Sequence, residues 1–224
     1  MNREVTLDTL NLLRRHFALL AFAGITLGML AASALAQEAK PTRGGLQLTS
    51  TTFANNSLMP ISTIHNMVVN NVNVCSIDGS PGGNQSPALS WSGAPRDTRT
   101  FVVVAYDVTA AFTHWGMYNI AGNATELPMN AGVAGSPYGT QIVNDFFIGA
   151  EYDGPCPPAN VAPFVHHYVF TVYALDIELN LPSSPNFPAT AETLYQALIE
   201  AGRNEHILAS ASITGLYSTT PSSQ

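Results

Sequence analysis

Apolar side chains recur at every second position in several stretches of this chain, the pattern of strands that bury one face. Thr100–Asp107 reads TFVVVAYD, rich in β-branched and aromatic residues, and predicts a central strand. His167–Asp176 (HYVFTVYALD) carries the strongest alternation. Over 45–53 the same period puts Leu46 and Leu48 on one face, and Ile207–Tyr217 (ILASASITGLY) predicts a final strand. In His114–Ile120 (HWGMYNI) it predicts that His114, Gly116 and Tyr118 share a side. The intervening segments DGSPGGNQSP (78–87), SGAPRD (92–97) and EYDGPCPPAN (151–160) are dense in turn formers and read as surface loops. One stretch switches to helical spacing: Thr190 can cap it, Leu194, Leu198 and Ala201 form a stripe, and Gly202 can end it. Several strands and one late helix predict a mainly β, predominantly antiparallel domain with a small helical addition near the C-terminus. The polar end STTPSSQ (218–224) is expected to be a flexible tail.

The first 36 residues follow a different pattern. Phe17 to Ala36 contains no charged residue, follows Arg14-Arg15, and closes on Ala34-Leu35-Ala36 before polar Gln37-Glu38. That is the layout of a secretory signal, 1–36, which leaves 37–217 as one domain. An uncleaved anchor is the alternative, since about 20 apolar residues can span a bilayer. With cleavage, no stable membrane insertion is expected, and the protein is periplasmic or secreted. The arginine pair suits either the general or the twin-arginine route. Eight basic against fifteen acidic side chains give a net charge of −7, without a Lys/Arg cluster. Nucleic acid and anionic membrane surfaces are therefore poor partners, and any bound anion needs a local pocket. In an exported chain Cys75 and Cys156 are expected to form a disulfide, two buried thiols being the alternative.

Beyond the leader the histidines are His65, His114, His166, His167 and His206. Adjacent His166 and His167 point to opposite faces of a strand, so the two cannot chelate one metal without a bulge. There is no H-E-x-x-H or paired-cysteine spacing and no G-x-S-x-G, so neither a metal nor a cofactor is expected, and a serine hydrolase is disfavoured. A distributed pattern is present instead: Asp107 at one strand end, His114 opening the next, a Gly-Pro-Cys-Pro-Pro loop at 154–158, and His166-x-Tyr168 with both side chains on one face.

Taken in order, GGNQSPALSWSGAP (82–95), the strand ending at Asp107, THWGMYNI (113–120), NDFFIGAEYDGPCPP (144–158), HHYVFTVYALD (166–176) and EHILASASITGLY (205–217) resemble the bacterial branch of the phosphatidylethanolamine-binding, Raf-kinase-inhibitor-like family. The resemblance spans about residues 46–217. It implies a β-sandwich-like fold of two antiparallel sheets with a cavity for phosphate-like or other small anions. By position it implies Asp107, His114, His166 and Tyr168 as ligand-binding residues, with Gly154 and Pro155 as a loop wall. It also places His206, in the helix-to-strand segment, close to the pocket. The chain departs from the family where Asp-Pro-Asp-Ala-Pro is usual. It reads Asp107-Val108-Thr109-Ala110-Ala111, and the way to His114 is shorter, which implies a reshaped wall. His167 stands where the family has arginine. The expected function is an exported binding protein for a small phosphate-like or phosphoethanolamine-like anion, with modulation of a protein partner and a homodimer as further expectations. The alternatives are a hydrolase-type enzyme in which Asp107 orients His114 or His166, and an interaction protein with a vestigial pocket.

Overall fold

The computed structural model describes residues 45–184 and 188–220; the segment read as a secretory signal lies outside them. In chain order the elements are β1 (Gln47–Thr49), β2 (Ser57–Leu58), β3 (Val68–Val69), β4 (Val72–Asn73), β5 (Leu89–Ser92), β6 (Thr100–Asp107), β7 (Phe112–Ala121), β8 (Glu126–Leu127), β9 (Thr140–Gln141), β10 (His166–Leu175), α1 (Ala191–Arg203) and β11 (Ile207–Tyr217). They form a six-stranded sheet in the order β2-β11-β10-β6-β7-β9, a three-stranded sheet β1-β5-β8 and a small ribbon β3-β4. Pairing is antiparallel except between β11 and β2, where Gly215 faces Ser57 in parallel. Among the described residues, the expected mainly β fold with one late helix is what forms.

Alternation on the central strands divides the large sheet between two cores. Phe101, Val103 and Ala105 of β6, with Tyr168, Phe170, Val172 and Ala174 of β10, face inward, where Leu48, Leu89 and Trp91 of the smaller sheet complete the core. Val102 and Val104 face the other way, onto Leu194, Leu198 and Ala201 of α1. Full burial of an aliphatic or aromatic side chain contributes about 1.5–3 kcal/mol, so these two layers supply most of the driving force. The helix starts where expected: Thr190 and Thr193 form a reciprocal capping box. It runs through Gly202, however, and the chain turns at Glu205, whose φ is 61°.

The expectation that His114 shares a side with Gly116 and Tyr118 does not hold, and the cause is a β-bulge. Ala105 pairs with Trp115 and Tyr106 with Thr113, so His114 is an extra residue in β7. Gly116 backs onto Ile142 and Leu194, and Tyr118 joins the helix-side core. His114 is turned to the inner side, with its ring 5.1 Å from that of Tyr168.

Cys75 and Cys156 are bridged across 81 residues of sequence. The start of the expected flexible tail is pinned: Thr219 is buried and donates to the Pro157 carbonyl at 2.6 Å, while the Thr220 hydroxyl accepts from Asn160 N at 2.9 Å.

Candidate functional site

Strand register brings the first three polar groups together. Asp107 closes β6 directly opposite Tyr168 of β10. His166, two residues before Tyr168, lies on the same face, whereas His167 is exposed on the other. The Asp107 carboxylate then satisfies both the turn and the histidine. One oxygen accepts the backbone N–H groups of Thr109 (2.8 Å) and Ala110 (3.2 Å). The other accepts from His166 Nδ1 at 2.6 Å. The turn that lacks the family's prolines is thus closed by the carboxylate, with Ala111 at φ 53° reversing the chain into β7.

The bulge in β7 supplies the fourth group. His114 donates Nδ1–H to the Asp153 carbonyl at 2.8 Å, and burial holds its pKa below the ordinary histidine value. The ring is therefore neutral near pH 7, with its lone pair on Nε2. Burial, aided by the charge of Asp107, keeps Tyr168 protonated well beyond any physiological pH. Its hydroxyl is the one buried side-chain polar atom among the described residues that lacks a hydrogen-bond partner. Asp107, His114, His166 and Tyr168 all line a single cavity of about 170 Å³.

The rest of the wall joins the Gly-Pro-Cys-Pro-Pro loop that the sequence singled out to two phenylalanines that it did not. Phe112 and Phe146, in edge-to-face contact at 4.9 Å, line the cavity with Cys156, Pro157 and Pro158. Gly154 and Pro155 lie just before that wall and anchor it. Gly154 N donates to Asn84 Oδ1 at 2.8 Å, and the Pro155 carbonyl accepts from His65 N at 3.1 Å. His206 is not part of the site. In the antiparallel β10–β11 pair His166 faces Tyr217 and Leu175 faces Ile207. His206 therefore sits at the opposite end of a ten-residue strand, about 30 Å away at 3.3 Å per residue. There it pairs with Asp176 at 2.9 Å.

Behind the cavity lies a second buried group. His65 Nδ1 is 3.2 Å from both Asp153 Oδ1 and Asn84 Oδ1. Asp153 also accepts from the side-chain amides of Asn84 (3.0 Å) and Asn144 (2.9 Å). Burial opposes the charge on each partner. The hydrogen bond and charge of Asp153 still leave the His65 pKa raised, and bonds from His65, Asn144 and Asn84 leave that of Asp153 lowered. None of these residues sits in a periodic segment; proximity of Asn84 and Asp153 to the two Gly-Pro-rich loops was the one available signal.

The cavity offers one phenol donor, one imidazole acceptor, one imidazole joined to a carboxylate, and aromatic walls. It has no lysine or arginine in its lining. Among the described residues no group of three or more His, Cys, Asp or Glu could hold a metal ion.

The profile of the family described as "Phosphatidylethanolamine-binding protein" matches residues 49–218. The chain is 38% identical over 147 residues to UPF0098 protein YbcL of Escherichia coli, covering 62% of this chain and 74% of YbcL. It is similar to the YbcL crystal structure with a TM-score of 0.61 at 31% identity, over 77% of this chain and 98% of that one. The crystal structure of CT736 from Chlamydia trachomatis, a candidate phosphatidylethanolamine-binding protein homologue, aligns with a TM-score of 0.58 at 26% identity, over 78% and 97% of the two chains. The candidate lipoprotein LppC of Mycobacterium tuberculosis is 32% identical over 131 residues, covering 54% of this chain and 62% of LppC.

Proposed function

Given that the chain belongs to the phosphatidylethanolamine-binding protein family, we propose that it is an exported binding protein for a small phosphate-like ligand, either a phosphomonoester that retains a proton or a phosphoethanolamine-like zwitterion. The observation that carries this reading is the Tyr168 hydroxyl, buried and unpartnered beside three other polar side chains. A buried donor left unpaired costs about 1–3 kcal/mol, a penalty that an oxyanion in the cavity offsets. The choice of protonation state follows from the lining. Asp107 is acidic, no fixed cation balances a dianion, and His114 offers a lone pair that a ligand O–H or N–H can fill. The leader layout of residues 1–36, the Cys75–Cys156 bridge and the similarity to LppC support export.

Calorimetric titration of phosphoethanolamine between pH 5 and 8 tests the reading. Affinity is expected to fall as pH rises through about 6 and the phosphate group of the ligand loses its second proton. Tyr168→Phe is expected to weaken binding by roughly tenfold, the cost of one charge-assisted hydrogen bond. Affinity that climbs with pH, or is indifferent to Tyr168→Phe in a folded protein, contradicts it.

A further inference from the structure

The buried pair behind the cavity touches two of the groups that shape it. Asp153 grips His114 through its main chain at two points: its carbonyl takes His114 Nδ1–H at 2.8 Å, and its N–H donates to the His114 carbonyl at 3.1 Å. The Asp153 carboxylate holds Asn144, whose side-chain oxygen accepts Phe146 N at 2.9 Å. His65 stacks its ring on the Phe146 ring, with centroids 4.8 Å apart and planes 15° from parallel. One ion pair thus fixes both a polar residue and an aromatic wall of the cavity without lining it.

We propose that His65 and Asp153 form a proton-operated positioning device for this pocket. With His65 protonated, the pair holds segment 144–154 so that His114 stays in its Nδ1–H form and presents Nε2 to the ligand. With His65 neutral, the segment loosens and His114 loses its fixed tautomer. His65 and Asp153 are positioning residues; the effect on ligand rests on the pocket being a phosphate-like binding site, while the effect on His114 does not.

The charges that face the pair are few. Glu151, on the same loop as Asp153, adds to the field that favours a protonated His65. The charge of Asp107 also favours a proton on His114, and Asn84 and Asn144 are neutral. The signs define the window. Because the His65 value is raised, its contribution is complete below the ordinary histidine value of about 6.5 and disappears as pH climbs through the higher folded value. Because that of Asp153 is lowered, its share is complete above the ordinary carboxylate value and is lost only as pH falls from there through the lower folded value, well below the window of His65. The pair is therefore intact in weak acid and opens on the alkaline side of pH 6.5.

Imidazole ¹⁵N NMR of the ligand-free protein from pH 5 to 9, alongside phosphoethanolamine titrations at the same pH values, tests the device. The expected result is that His114 shows the Nδ1–H signature in acid and shifts toward mixed tautomers in step with the His65 titration. Affinity should drop by roughly two- to tenfold across that step, the worth of one hydrogen bond. His65→Phe keeps the ring on Phe146 but not the charge; it is expected to lack the step and to show mixed His114 tautomers even at pH 5. An invariant His114 spectrum while His65 titrates overturns the proposal, and wild-type protein alone is enough to decide this. Failure of wild-type protein to bind phosphoethanolamine at any pH overturns the binding function instead, and the His114 spectra still decide the device.

Discussion

Asp107 does two jobs in the pocket, because one carboxylate closes a turn and holds a histidine. Replacing it by Asn keeps an oxygen for the Thr109 and Ala110 N–H groups but removes the charge from the 2.6 Å bond to His166. Asp107→Asn is expected to cost about 1.5–3 kcal/mol of stability, the range for a hydrogen bond to a charged group. Urea unfolding reads this directly, and an unchanged midpoint shows that the pair contributes nothing. At this scale much was legible. Period two alone placed His166 and Tyr168 on one face, and family order added Asp107 and His114. His65, Asn84, Asn144 and Asp153 were not legible, because loop residues meet through tertiary packing that no local period encodes. His206 was misplaced for a readable reason. The start of β11 runs antiparallel to β10, so it lies beside the end of β10 and far from His166.

Among the elements, β7 shows where pattern reading stops. A strict alternation assigns His114 to the helix side; one inserted residue between Ala105 and Tyr106 in the pairing reverses it and creates the site. Polarity cannot reveal such a bulge, since either face of β7 is buried at this point. The neighbouring turn makes its own prediction. Ala111 adopts φ 53°, a left-handed conformation that costs a residue with a Cβ about 1–2 kcal/mol. Ala111→Gly removes that cost and loses part of the gain to chain entropy, about 0.5–1 kcal/mol. A net stabilisation of about 0.5–1 kcal/mol is expected in thermal or urea unfolding. Destabilisation by this change would mean that the alanine methyl packs usefully in the turn.

The whole molecule depends on two cores and one covalent link. The inner core joins the two sheets, the outer core seats α1, and the Cys75–Cys156 bridge ties the pocket wall to the segment after β4. Removing that link by Cys75→Ser with Cys156→Ser is expected to cost about 2–5 kcal/mol, in keeping with the loop it closes. Phosphoethanolamine affinity should fall as well, since Cys156 itself lines the cavity. Full stability in the double variant, measured by urea unfolding, contradicts this. The strand order along the chain and the late helix were open to sequence reasoning because β6 and β10 are dense in β-branched and aromatic residues and α1 carries an apolar stripe at helical spacing. The pinned residues 218–220 were not, because Ser and Thr hydroxyls that anchor a loop look in sequence like those of a free tail.

All of this turns on residues far apart in the chain acting on one ligand, and the histidines report it without any mutation. Imidazole ¹⁵N shifts can be followed while phosphoethanolamine is added at pH 6. A shared cavity predicts that His114 and His166 move together, saturably and with one dissociation constant, while exposed His167 and remote His206 stay fixed. Independent responses of His114 and His166, or a response confined to His206, would contradict it.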